Sequence, residues 1–161
     1  MFREMRRKKQ LLPEREAEEI LRRGKTGVLG VAGDGGYPYA VPLNYVYEDG
    51  TIYFHCAKTG HKLDAIRRNG KVSFCVVDQD KVVPEQFTTH YKSAIAFGKA
   101  AVLTGDGAKR AAIELLVRKY APDRREQGEE AIEREWDALC VVAVSVEHLT
   151  GKAARGLAGG T

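Results

Sequence analysis

Hydrophobic positions change period once along the chain, near residue 25. Before that point Ala17, Ile20 and Leu21 recur at helical spacing. Pro13 suits a first helical position and Gly24 a stop, so residues 13–23 are predicted helical. After it the period is two. Residues 27–32, 37–47, 51–57, 71–77, 89–103 and 139–147 read as strands, rich in Val, Ile, Tyr and Phe. Gly33-Asp34-Gly35-Gly36 and Glu48-Asp49-Gly50 supply the positive φ of hairpin turns, which makes the first three strands antiparallel. Pro38 and Pro42 cannot donate to a ladder, so the second strand is expected at an edge or bulged. Alternation in 51–57 places Ile52, Phe54 and Cys56 on one face and Tyr53, His55 and Ala57 on the other.

A short helix is predicted at 61–68, closed by a left-handed Asn69-Gly70, and residues 78–88 read as a polar loop around Pro84. The fifth strand is interrupted at Gly98. Asp106 is expected to cap a helix through Tyr120, with Ile113, Leu116, Val117 and Tyr120 on one stripe, and 128–137 to be helical. The sum is a mainly β (α+β) fold, six antiparallel strands in a small closed or split β-barrel with peripheral helices. Its parts are a basic segment 1–12 that is not rigid alone, one domain over 13–150, and a flexible Gly/Ala-rich tail over 151–161.

Composition narrows the class. A chain of 161 residues buries roughly 70% of its unfolded surface and needs neither disulfides nor a structural metal. No apolar run approaches the ~20 residues of a membrane span, and no apolar h-region follows the basic start, so neither membrane nor signal peptide is expected. Three widely spaced cysteines, Cys56, Cys75 and Cys140, point to reduced thiols and a cytoplasmic location. The net charge of +4 does not mark a nucleic-acid surface. Residues 1–25 hold nine Lys or Arg against five Asp or Glu, and the remainder holds seventeen of each.

Several motifs fail on spacing. Gly24-Lys25-Thr26 lacks the P-loop glycine at position 19, which is Glu19, and follows a helix where a strand is required. Gly27, Gly30 and Gly33 do not have dinucleotide-fingerprint spacing. His55, Cys56 and His61 lack a fourth ligand at zinc-like spacing, so no metal is expected. The stretch 37–77 is the one that carries chemistry. There a strand ends at Ala57, a Gly-containing loop follows, and a helix opens at His61-Lys62. Its free N–H groups, with an imidazole and an ammonium beside them, form a candidate cradle for a phosphate monoester. The proline-interrupted run Val41-Pro42-Leu43 offers backbone groups to the edge of a planar heterocycle.

Gly36-Tyr37-Pro38 through Val41-Pro42, Ile52-Tyr53-Phe54-His55-Cys56-Ala57, Gly60-His61-Lys62-Leu63-Asp64 through Arg67-Arg68-Asn69, and Val72-Ser73-Phe74 stand in an order that resembles the pyridoxamine 5′-phosphate oxidase-related flavoproteins. The basic start and Phe97-Gly98-Lys99-Ala100 are similar to the nitroimidazole-resistance (Nim-type) branch. The resemblance implies a split β-barrel that binds FMN at a homodimer interface. It implies that Val41, Pro42 and Leu43 pass the isoalloxazine edge, that His55 and Cys56 lie beside the ribityl and phosphate, and that His61 and Lys62 hold the phosphate. Ser93 falls where oxidase relatives place a Gln reaching the partner's flavin. His61 stands in place of a common Arg, and it is the candidate acid–base group because imidazole titrates near neutrality. The implied activity takes electrons from NAD(P)H to a small organic acceptor, plausibly a nitroaromatic. The alternative is a flavin or haem carrier on the same barrel, with His55, His90 or His148 as axial ligand.

Overall fold

In the computed structural model, which describes residues 1–157, eight strands form one antiparallel sheet with four α-helices packed around it. The strands are β1 (Leu11–Leu12), β2 (Thr26–Ala32), β3 (Pro38–Asn44), β4 (Val46–Glu48), β5 (Thr51–Ala57), β6 (Lys71–Val83), β7 (Thr88–Val102) and β8 (Leu139–Ala153). The helices are α1 (Glu14–Arg23), α2 (His61–Arg68), α3 (Asp106–Tyr120) and α4 (Arg125–Glu135). The sheet runs β3-β2-β6-β7-β8-β5-β4, with β1 paired to the far end of β8. The two ends of this path, β3 and β4, do not pair with each other, so the fold is a split β-barrel.

Alternation along the strands builds the core. Leu29, Phe74, Val76, Ala94, Ala96, Val142 and Val144 point inward from the central strands, closed over by Ile20 and Leu21 of α1 and by Leu63 and Ile66 of α2. Burying each large aliphatic or aromatic side chain there contributes about 1.5–3 kcal/mol. A second, smaller cluster joins Ala112 and Ile113 of α3 to Ile132 of α4 and Val141 of β8.

The predicted α1 and α2 and the edge position of the Pro38/Pro42 strand are observed. The interruption at Gly98 is a register shift in the β7–β8 pairing. Other expectations need correction. Residues 37–47 are not one strand. Buried Tyr45 breaks them into β3 and β4, its hydroxyl donating to the Leu21 carbonyl at 2.7 Å and its N–H to the Tyr120 hydroxyl at 3.0 Å. Residues 78–88 are not a loop but the ends of β6 and β7, paired out to Val83 and Thr88 and capped by a short 3₁₀ turn with Phe87 at φ 49°. This arm is solvated on both faces, so its sequence shows polar residues where a half-buried strand would alternate.

The closing strand runs to Ala153 instead of stopping at 147. Leu12 and Ala17 pack closely on Gly151, where an added Cβ would meet them at 3.0–3.2 Å. The tail expectation beyond residue 157 lies outside the described residues. The basic N-terminal segment also docks: Gln10 and Leu12 are buried, and Phe2 stacks on His148 at 4.7 Å and on Phe97 at 5.5 Å. Asn69 is extended at φ −148°, not left-handed, and its side-chain oxygen accepts the Lys71 N–H at 3.1 Å. Asp106 is the first residue of α3, with no side-chain cap bond at Gly105. No described helix is long and apolar enough to cross a membrane.

Candidate functional site

The split is built by one crossover. β3 uses one edge to pair with β2, and its chain then passes Tyr45 and returns as β4 beside the start of β5. β4 covers only Thr51, Ile52 and Tyr53, so the second edge of β5 is free from Phe54 to Ala57. The free edges of β3 and β5 therefore bound a wedge with its apex at Tyr45. The apex is held firmly. Lys119 of α3 donates to the Gly24 carbonyl and, at 3.0 Å, to the Tyr45 carbonyl, with its ammonium over the Tyr45 ring at 4.3 Å. The Tyr120 hydroxyl lies 2.6 Å from the carbonyls of Lys25 and Tyr45. Burial lowers Lys119 to about 8.

The wide end is closed by α2. Gly60 precedes it at φ 141°, a conformation that favours glycine, and caps it with no side chain. The Leu63 and Asp64 N–H groups return to the Gly60 carbonyl at 3.1 Å each, leaving the earlier N–H groups of the turn for an external acceptor. His61 lies flat against Tyr39 of β3, ring centroids 4.2 Å apart. Its Nε2 accepts the backbone N–H of Asp34 at 3.3 Å, which places the neutral ring's proton on Nδ1. Asp34 is held in turn by Arg68 at 2.6 Å. The β2–β3 turn thus orients the imidazole and leaves only Nδ1 for other chemistry. Lys62 and Arg67 bring positive charge to Cys56, whose thiol burial and the adjacent Cys140 push up to about 12.

Seven of the eight candidate residues flank this wedge. Val41 and Leu43 pack partly into the core from β3, with Pro42 exposed between them. Cys56 packs toward the core from β5, and His61 and Lys62 open α2. His55 does not share the side of Cys56. It points to the opposite face, where it lines a cavity of about 500 Å³ with Asn44, Leu116, Tyr120, Ile132 and Leu139. Since Asn44 ends β3 and His55 lies on β5, both borders of the wedge contribute to this largely apolar cavity. Ser93 is remote from the wedge. It stands on β7 between Val77 and Lys152, next to core residue Ala94 and so on the outer face of the sheet. The described residues hold no cluster of three or more metal-ligating side chains.

Sequence reasoning missed Cys140, Asp34 and the cavity walls. Cys140 lies 84 positions from Cys56 and meets it only through strand pairing. The stripe Ile113–Leu116–Val117–Tyr120 is legible as a packing face, but the gap it leaves beside His55 is not.

Comparison with known proteins agrees with this architecture. The family model described as Pyridoxamine 5'-phosphate oxidase matches residues 13–153, and the chain belongs to that family. Among solved structures, a candidate 5-nitroimidazole antibiotic resistance protein from Bacteroides thetaiotaomicron is 25% identical, with a TM-score of 0.75 over 89% of this chain and 86% of that one. A conserved hypothetical protein from Mycobacterium tuberculosis superposes at 0.81 with 18% identity, over 98% and 95% of the two chains. An FAD and haem binding protein from Mycobacterium smegmatis superposes at 0.78 with 18% identity, over 96% and 77%. A comparison with curated proteins finds no match.

Proposed function

We propose that the chain is an FMN-dependent oxidoreductase of the Nim type, working as a homodimer and reducing a small organic acceptor of the nitroaromatic class with electrons from NAD(P)H. The observation that carries this reading is the uncapped first turn of α2 at the wide end of the wedge, with Lys62 beside it. That donor set suits a phosphate monoester, which carries about −1.5 to −2 charge at pH 7. In this reading His61 Nδ1, Lys62 and the α2 N–H groups hold the phosphate. The edge of Val41-Pro42-Leu43 not used by β2 offers main-chain donors and acceptors to the isoalloxazine, and Cys56 flanks the ribityl chain. FMN, when bound, supplies two-electron transfer between nicotinamide and acceptor. The remaining work of the chain is positioning and exclusion of water.

The cavity beyond His55 and Asn44 serves as the acceptor pocket, and its apolar walls favour an uncharged ring. A second copy covers the open side of the wedge, with Ser93 presented from the outer face of the partner sheet. Membership of the family and the 25% identical resistance relative support this choice over other flavin chemistry.

An absorbance spectrum of the purified protein, with identification of the released ligand, tests the cofactor. FMN bands are expected, and a Soret band without flavin would sink the reading. NAD(P)H consumption on addition of a nitroaromatic then tests turnover. Lys62→Ala is expected to weaken FMN binding by about 2–3 kcal/mol, the cost of a lost charge-assisted contact, with the fold intact. Fluorescence titration with FMN reads this directly.

A further inference from the structure

We propose that Cys56 and Cys140 form a redox-active dithiol which hydrogen peroxide closes to an intramolecular disulfide at the wide end of the wedge. The two residues stand directly opposite each other on β5 and β8, and their Sγ atoms are 3.5 Å apart. Opposed residues of an antiparallel pair have Cα atoms roughly 4.5–5.5 Å apart, inside the range a disulfide spans, so closure moves the sulfurs and not the strands. Both thiols are free.

Access assigns the roles. Cys56 is partly exposed on the free edge of β5, whereas Cys140 is buried, its Sγ 3.6 Å from the Ala57 carbonyl. Lys62 and Arg67 favour the Cys56 thiolate, but burial outweighs them, so the reaction is slow and needs excess oxidant. The Cys56 sulfur attacks one peroxide oxygen. An S–O bond forms, the O–O bond breaks, and the departing oxygen leaves as water with the thiol proton. The Cys140 sulfur then attacks that of Cys56. The S–S bond forms, the S–O bond breaks, and a second water leaves with the Cys140 proton. Two thiols lose two electrons, and one peroxide becomes two waters.

The dithiol stands without the flavin assignment. One consequence rests on that assignment: a cofactor seated against Cys56 shields it, so FMN slows closure.

The test treats the full chain with excess hydrogen peroxide in the absence of reductant, then counts thiols under denaturing conditions. Reactive thiols are expected to fall from three to one. The intact mass should drop by about 2 Da, and a dithiothreitol-reversible Cys56–Cys140 peptide should appear. The Cys75→Ser variant should go from two thiols to none without covalent dimers. The Cys140→Ser variant, lacking the resolving sulfur, should instead gain oxygen at Cys56. Persistence of all three wild-type thiols overturns the proposal, as does oxygen uptake on Cys56 in place of the link. Severalfold slower closure in FMN-loaded protein supports the cofactor seat. An unchanged rate with the link still formed removes that seat and leaves the dithiol standing.

Discussion

At the residue scale, several partly buried groups have ionisation tied to folding, and three of them, Tyr45, Tyr120 and Lys119, meet at the apex of the wedge. Burial raises the phenols of Tyr45, Tyr47 and Tyr120 above their ordinary 10.0, and the thiols of Cys56 and Cys75 above 9.0. A group raised in the folded state contributes stability that is intact below its unfolded pKa and lost as pH climbs toward the folded one. Lys119 has the opposite sign. Lowered from 10.5 to about 8, it binds its proton more tightly in the unfolded chain, and the cost of burying its ammonium is relieved over that window. Five groups oppose one, so stability is expected to decline from about pH 9 upward, more steeply past 10. Urea midpoints at pH 8, 9, 10 and 11 read the slope. Tyr45→Phe should flatten the limb above pH 10 and cost about 1–2 kcal/mol at pH 8, because the Leu21 carbonyl loses its buried donor. An unchanged limb in that variant would show that Tyr45 is not one of the responsible groups.

At the element scale, legibility followed burial. β2, β5 and the first half of β6 have one face in the core and one outside, so their side chains alternate and their limits could be read. α2 could be bounded because Leu63 and Ile66 share its inner stripe. The hairpin arm beyond Val77 has no buried face and shows no period, and the end of β8 carries Gly151 and Ala153, small because α1 and β1 pack on it. Small residues at the end of a chain read as a tail for the same reason that they permit close packing. The candidate site divides in the same way. His61, Lys62 and Val41–Leu43 belong to local segments and were visible, whereas the pairing of Cys56 with Cys140 and the hold of Asp34 on His61 are products of strand order. Gly98 shows a local signal with a tertiary cause. A Cβ there would sit on the Ser145 carbonyl oxygen across the β7–β8 register shift, and backbone on both sides cannot yield. Gly98→Ala is therefore expected to destabilise by roughly 2–4 kcal/mol, well beyond the ~1 kcal/mol of an average substitution, while Gly105→Ala, which meets nothing within 4 Å, should be near neutral. Chemical unfolding of the two variants side by side makes the comparison.

At the scale of the whole molecule, the question is what covers the outer face of the sheet. Val28, Cys75 and Ile95 lie side by side across β2, β6 and β7, with Phe97 and Val77 on the same face. Val28, Ile95 and Phe97 each remain about two-fifths exposed, and Val77 is more exposed still. A contiguous apolar surface on central strands, where alternation would ordinarily place polar residues, is unfavourable in water and is relieved by association. In the homodimer proposed above a second copy would lie on this face: Ser93 rises from it, so one contact would both cover the patch and bring that side chain toward a neighbouring wedge. Specific interfaces bury on the order of 800 Å² per partner, so the contact is expected to centre on this three-strand patch and extend past it. Light scattering is expected to give twice the chain mass. Replacing Ile95 with Asp should yield a folded monomer, judged by far-UV circular dichroism, because the core behind it at Ala94 and Ala96 is untouched. If the wedge is completed across the dimer, that monomer should also lose most of its FMN affinity. A monomeric Ile95→Asp protein that binds FMN as tightly as the parent would show that each barrel holds its cofactor unaided. A parent that is itself monomeric would leave the apolar face without the partner assigned to it.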